Sequence, residues 1–563
     1  MKNIALAFSG GGFRAAAFSL GTLSYLNQLQ PPGWDKPLLN NVKFIGSTSG
    51  GSMTNIAYSI GVFQGDEFSV TYKALLAAME GETLIARVFE ILKAKQPWEG
   101  RDTKSRNLIN AFSIAYDEKF GAQTFKNLYE PGEGIVPHLE EVCINSTEFT
   151  NGVSFRFQSQ QAGISNGLVG NYYIYFKDLK VAGDLKLGDL MACSSCFSGG
   201  FEPFIFPDDF VHAGLSRQGL LDAIIYESNP FTITDTDKEL LSNETFKDIK
   251  ERFGLMDGGV ADNQAIDSVF KANDRRKGTG KEFDLVVLTD VGSYFVDGYT
   301  LPMEKKRWYN AFTVQQVINM IKLAALSFVI IAVFAAIRGW HEWMKFVFIP
   351  LAVLAISYIG GVIFLALQKK QAFKTKSTWL VVMFNYIDYF LTIRVSRLKQ
   401  MVTSRLKSVF LLADDLYLKQ IRRLYYNMIY ADKDLGPMTI SNAIYDLSNA
   451  KLSPKTDEKL AKTIDAPVKE LNAKPVIQEL EQRLKDIAEK ARSMPTTLWF
   501  DPFQQDELAG IVATGQFTTC YNLLKYYLKQ PALSTEEAAL VVQLTRDWKA
   551  FNDDPYILYK KLT

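Results

Sequence analysis

The chain has 563 residues, 47% of them hydrophobic, and a formal net charge of +1. That is enough apolar material for a large core, and too little net charge to attract nucleic acid by bulk electrostatics. Four cysteines, Cys143, Cys193, Cys196 and Cys520, exclude a disulfide-built scaffold and suit a reducing compartment.

The N-terminus opens on a short apolar run, residues 4–8, followed by Ser9-Gly10-Gly11-Gly12-Phe13-Arg14-Ala15. The run is too short for the core of a secretory signal and reads as a first strand. Residues 14–28 are expected to be helical. A second strand at 42–45 leads into Ile45-Gly46-Ser47-Thr48-Ser49-Gly50-Gly51-Ser52 and a helix over 50–60. Further strand candidates lie at 172–176 and 285–289. Alternating strands and helices predict an α/β fold with a mostly parallel sheet. Cys193 and Cys196 form a lone C-x-x-C, which reads as small buried residues and not as half of a metal site. Neither a metal nor another cofactor is expected.

Composition changes after residue 300. Residues 323–337 are apolar except for Ser327, and residues 346–367 carry no charge. An eight-residue polar connector, Arg338 to Lys345, joins them and contains Trp340 and Trp343. Two such runs predict a transmembrane hairpin with helices at about 320–338 and 346–367. Lys305, Lys306 and Arg307 precede it, and Lys369, Lys370, Lys374 and Lys376 follow it. This excess of positive charge places both large soluble parts on the cytoplasmic side. The apolar stretch 379–393 contains Asn385 and Asp388, so it reads as an interfacial or core helix. Beyond it, Arg394, Arg397, Lys399, Arg405, Lys407, Arg422 and Arg423 form either a solvated helix face or a contact with anionic headgroups. Residues 451–493 read as amphipathic helices around Pro454, Pro467 and Pro475.

The chemistry is expected at the two glycine turns and one later loop. Ser49 sits among small residues between a strand and a helix, where a nucleophilic serine needs a tight elbow. The turn Gly10, Gly11 and Gly12 lacks the lysine and serine of a phosphate loop and fits an oxyanion hole. Arg14 faces two readings, a substrate phosphate contact or an ion pair at the helix start. Asp257, in Met256-Asp257-Gly258-Gly259, is the candidate base. Only His138, His212 and His341 exist, and none has a motif-like context, so a Ser49–Asp257 dyad replaces the familiar triad.

These three blocks, in this order, resemble the patatin-like phospholipase family, which is related to cytosolic phospholipase A2. The family shows a glycine-rich oxyanion loop, a G-x-S-x-G elbow and a D-G-[GA] aspartate. Ser47 stands at the first glycine of the elbow, and Gly199-Gly200 stands where a proline is common in a further family block. The resemblance implies a three-layer α/β/α sandwich and hydrolysis of a phospholipid or lysophospholipid ester. An acyltransferase using the same serine and an inactive membrane-anchored scaffold are the alternatives. The expected organisation is a catalytic core at 1–300, a membrane insertion at 301–377, and a helical region at 378–563 that partly completes the core. A lipid bilayer is the expected partner, with no nucleic acid and an open oligomeric state.

Overall fold

The computed structural model describes residues 3–79, 83–159, 169–226, 252–292, 311–339, 342–375, 378–448, 481–497, 500 and 504–563. They fall into two units, Met1–Phe295 with Leu418–Thr563, and Val296–Tyr417.

In the first unit the strands are β1 (Ile4–Phe8), β2 (Val42–Thr48), β3 (Glu141–Glu148), β4 (Val153–Gln158), β5 (Ile174–Phe176), β6 (Phe204–Phe206), β7 (Ile224–Tyr226), β8 (Phe253–Asp257), β9 (Leu285–Asp290) and β10 (Thr439–Ala443). Eight of them build one sheet in the order β10-β9-β1-β2-β3-β8-β6, with β4 pairing β3, while β5 and β7 pair separately. The five strands β10, β9, β1, β2 and β3 run parallel. β4 and β8 run antiparallel to β3, and β6 antiparallel to β8. The fold is thus the expected α/β sandwich around a mostly parallel sheet.

Successive strand side chains point to opposite faces, and both faces are buried. Ile4, Leu6, Phe8, Ile45, Val142, Leu285 and Val287 belong to one core. Ala5, Ala7, Phe44, Cys143, Val286 and Leu288 belong to the other. The first face is covered by α1 (Gly12–Gln28), α2 (Gly50–Gln64) and the C-terminal helix Gln505–Lys529; the second by helices Ile266–Arg276 and Leu418–Ala431.

The helix Gln505–Lys529 meets α1 backbone to backbone. A Cβ on Gly21 would lie 2.2 Å from the Val512 carbonyl oxygen, and one on Gly515 would lie 2.3 Å from that of Phe18. Buried polar groups satisfy one another alongside this crossing. Asn442 Nδ2 donates to Thr519 Oγ1 at 2.8 Å, and Gln516 Nε2 to Ser24 Oγ at 3.0 Å. At the end of β9, Arg422 and Asp290 form a buried ion pair at 2.6 Å, which ties helix Leu418–Ala431 to the sheet.

The second unit consists of helices Val314–Arg338, Glu342–Thr375, Thr378–Thr392 and Val395–Phe410. Helices Thr378–Thr392 and Val395–Phe410 therefore group with the hairpin, not with the C-terminal helices. Lys369 Nζ meets Asp388 at 2.5 Å. Two apolar helical segments, Val314–Phe334 and Ile349–Lys370, are long enough to cross a bilayer, and 0% and 6% of their apolar windows are buried. Lys305, Lys306, Arg307, Trp340, His341, Lys376 and residues 451–480 lie outside the described residues, as do the side chains of Trp343, Lys345 and Lys374.

Candidate active site

β2 ends at Thr48 and α2 begins at Gly50, leaving Ser49 on the turn at φ 51° and ψ −123°. A non-glycine residue at positive φ stores roughly 1–3 kcal/mol of strain and persists only when its surroundings hold it there. The holding groups are backbone. A Cβ on Gly50 would sit 1.9 Å from the Gly12 carbonyl oxygen, and one on Gly51 would sit 2.7 Å from those of Phe8 and Ser9. The two glycine turns, about forty residues apart in sequence, are therefore packed main chain against main chain. Any side chain at Gly50 would separate them.

Gly11 and Gly12 take φ 140° and 63°, conformations that favour glycine, and α1 starts at Gly12. Their amide hydrogens have no hydrogen-bond partner among the described residues. This singles them out from their neighbours: Gly10 N–H donates to the Asn263 carbonyl at 3.0 Å and Phe13 N–H to the Thr497 carbonyl at 2.7 Å. Gly10, expected as a third oxyanion donor, is corrected on this ground, because its only N–H is already committed. It still has to be glycine: a Cβ there would lie 2.4 Å from Asn263 Oδ1 and 3.2 Å from Ser49 Cβ.

Asp257 is the last residue of β8, in register with Ser146 of β3. Its Oδ1 accepts the Gly259 N–H at 2.6 Å, and the Ser49 hydroxyl lies near enough to favour its charged form. Ser49 and Asp257 are each 9% exposed. Burial pushes the Asp257 carboxyl up to about 6, opposed in part by the Gly259 N–H and the Ser49 hydroxyl. A carboxylate so placed is a base tuned toward neutral pH. Asp262, five residues on, is also raised by burial, to about 7. Its oxygens accept the amides of Ile266 and Asp267 at the start of helix Ile266–Arg276, so its role is to hold that helix start.

The C-terminal end of helix Leu187–Ser195 braces both halves of the site, which the sequence did not foretell. Ser194 Oγ accepts the Ser49 N–H at 2.9 Å. It continues a buried hydroxyl chain through Ser52 at 2.9 Å and Ser47 at 3.0 Å, where Asn55 Nδ2 donates at 2.8 Å. The Ser194 carbonyl accepts the Gly258 N–H at 3.3 Å, and that of Cys196 accepts the Asp257 N–H at 3.1 Å. The small-residue run Ala192 to Cys196 was the only signal. Its cysteines are free and buried.

Arg14 is corrected. Its guanidinium donates to the carbonyls of Val291 at 3.1 Å, Arg492 at 3.4 Å and Met494. It pins the segment after helix Gln482–Ser493 over the start of α1, and these contacts leave the expected phosphate contact without a free fork. The described histidines are engaged elsewhere: His138 Nε2 with the Tyr58 hydroxyl at 2.9 Å and His212 Nε2 with the Asp184 carbonyl at 3.0 Å.

The arrangement can generate an alkoxide at Ser49, take up its proton at Asp257, and offer two unengaged amides to a developing oxyanion. Residues 6–270 match the family model of patatin-like phospholipase. No curated protein matches the chain significantly.

Proposed function

From a chain that carries a patatin-like phospholipase domain at residues 6–270, and is thereby a lipid acyl hydrolase, we propose that Ser49 and Asp257 form the catalytic dyad of a membrane-anchored phospholipase or lysophospholipase. Ser49 Oγ attacks the ester carbonyl as Asp257 accepts its proton. The amides of Gly11 and Gly12 stabilise the tetrahedral oxyanion, each well-placed donor contributing about 3–4 kcal/mol. Asp257 then protonates the departing alcohol, and a water deprotonated by the same carboxylate releases the fatty acid. The observation that carries the reading is the strained, buried Ser49 together with a buried carboxylate, raised toward neutral pH by desolvation, and two unengaged amides. It also weighs against a retired active site.

Membrane anchorage is supported by the apolar segments Val314–Phe334 and Ile349–Lys370, which are almost wholly unburied. A soluble chain would cover such surface. Tethering keeps the enzyme on the phase that holds its insoluble substrate, raising its effective concentration. The excess of lysine and arginine flanking the hairpin supports a cytoplasmic catalytic unit.

The test is fatty-acid release from phospholipid and lysophospholipid in mixed micelles. Wild type should release it, and Ser49→Ala and Asp257→Asn should each lose activity by at least a thousandfold. Full activity in either variant overturns the dyad. Adding a lysolipid acceptor separates transfer from hydrolysis by product.

A further inference from the structure

Arg14 holds three backbone carbonyls from two remote parts of the chain. Its guanidinium reaches Val291, just past β9, at 3.1 Å, and beyond helix Gln482–Ser493 it meets Met494, with Arg492 at 3.4 Å. These carbonyls belong to the two walls of one turn. A Cβ on Gly11 would lie 2.4 Å from Val291 Cγ2, and one on Gly12 would lie 2.3 Å from the Thr497 carbonyl oxygen. That same carbonyl accepts the Phe13 N–H at 2.7 Å. On the other side the Val291 N–H donates to Ser9 Oγ at 3.2 Å, which donates in turn to the Gly10 carbonyl at 3.1 Å. Gly11 and Gly12, whose amides are unengaged, are thus closed in by Val291 and Thr497, and one side chain fastens both walls.

Stability alone does not select a cation at this position. Arg14 lies in the first turn of α1, which carries no acidic residue and where the helix dipole disfavours positive charge. Burial also works against the charge, and Asp290, which offsets it in part through space, is itself bonded to Arg422 at 2.6 Å. The Arg14 Nε is buried with no hydrogen-bond partner among the described residues. What arginine supplies here is a rigid planar fork that meets carbonyls lying in different directions, which a neutral side chain or a lysine does not.

We propose that Arg14 is a positioning residue for the oxyanion hole. By tying Val291 to the 492–497 segment it fixes the main chain of Gly11 and Gly12, and with it the aim of their two amides. The inference rests on the oxyanion reading of that turn and gives the turn its support. Arg14 acts through the two walls and not on the substrate, and the 492–497 segment becomes part of the working site. A displacement of about 1 Å in such a donor costs about a hundredfold in rate.

The test compares full-length wild type, Arg14→Met, Arg14→Lys and Pro495→Gly in mixed micelles, by steady-state kinetics and by inhibition with a trifluoromethyl ketone. The ketone oxygen becomes an oxyanion when Ser49 adds to it, so its Ki reports the hole directly. Arg14→Met should lower kcat about a hundredfold with KM within about twofold, and raise Ki by the same factor. Lysine keeps the charge without the fork and should stay at least about tenfold below wild type in kcat. Pro495 is exposed, and Pro495→Gly loosens the segment with Arg14 in place; it should lower kcat and raise Ki by about two- to fivefold. That variant carries the comparison if Arg14→Met does not fold. An Arg14→Met protein within about twofold of wild type in both kcat and Ki overturns the inference. Full recovery in Arg14→Lys also overturns it, by making charge and not bridging the cause. So does a fall in kcat at unchanged Ki, which marks only a loss of folded enzyme. In each of these outcomes an inactive Ser49→Ala protein leaves the hydrolase reading standing, whereas activity retained in Ser49→Ala removes that reading and the inference with it.

Discussion

Replacing Asp257 by asparagine should abolish activity and stabilise the protein. The amide keeps the side chain's shape and an oxygen for the Gly259 N–H, and removes only the charge. Burial lifts the carboxyl from 3.8 to about 6. At about 1.36 kcal/mol per pH unit, keeping it ionised in the fold costs about 3 kcal/mol. Because the native value lies above the unfolded one, protonation favours the fold. That contribution is complete below the unfolded value and is lost as pH rises through about 6. The variant lacks this slope. It should exceed wild type by up to about 3 kcal/mol at pH 8, and the gap should narrow by about 1.5 kcal/mol at pH 5. Denaturant unfolding of both proteins in the same detergent across that range measures it. The slope from Asp262 is common to both proteins and cancels. A variant less stable than wild type at pH 8, or a gap that ignores pH, would refute the reasoning.

Other consequences follow from the same geometry. Since Asp257 must be ionised to accept the proton, kcat/KM should rise about tenfold from pH 5 to pH 7 with a midpoint near 6; an acid limb near 4 would remove the buried base. Gly50→Ala drives a methyl into the Gly12 carbonyl and should lower kcat by at least about a hundredfold in protein that remains folded by circular dichroism. Activity within twofold of wild type would show that the turns need not touch. Ser194→Ala leaves the buried Ser49 N–H unpaired and should cost about 1–3 kcal/mol in unfolding experiments. Arg14→Met should hasten proteolysis at residues 492–497 and leave KM alike for phospholipids and neutral esters. A rise in KM confined to phospholipids would restore the phosphate contact.

The legible parts of this chain were those whose physics is local. β1, β2 and β9 are apolar runs between turns, and the Ser49 elbow and Asp257 loop are turn chemistry written in adjacent residues. β3 escaped notice because its second half, Asn145-Ser146-Thr147-Glu148, is polar yet fully buried. Partners remote in sequence satisfy it: Ser146 Oγ donates to the Met256 carbonyl and Thr147 Oγ1 to that of Asp257. Ser194 was invisible for the same reason, since its role exists only once helix Leu187–Ser195 meets the elbow. Gly10 and Arg14 were misassigned because sequence shows which groups can donate, and not which carbonyls, 250 to 480 residues away, already accept from them. The two long apolar helices were legible from length and absence of charge alone.

The most direct measurement is covalent trapping. A fluorophosphonate incubated with the full-length protein and followed by peptide mass spectrometry should mark a single serine, Ser49. The rate should rise with pH through about 6, and the Ser49→Ala and Asp257→Asn variants should remain unmodified on the same timescale. Modification of another serine, or undiminished labelling of the Asp257→Asn variant, would contradict the Ser49–Asp257 account.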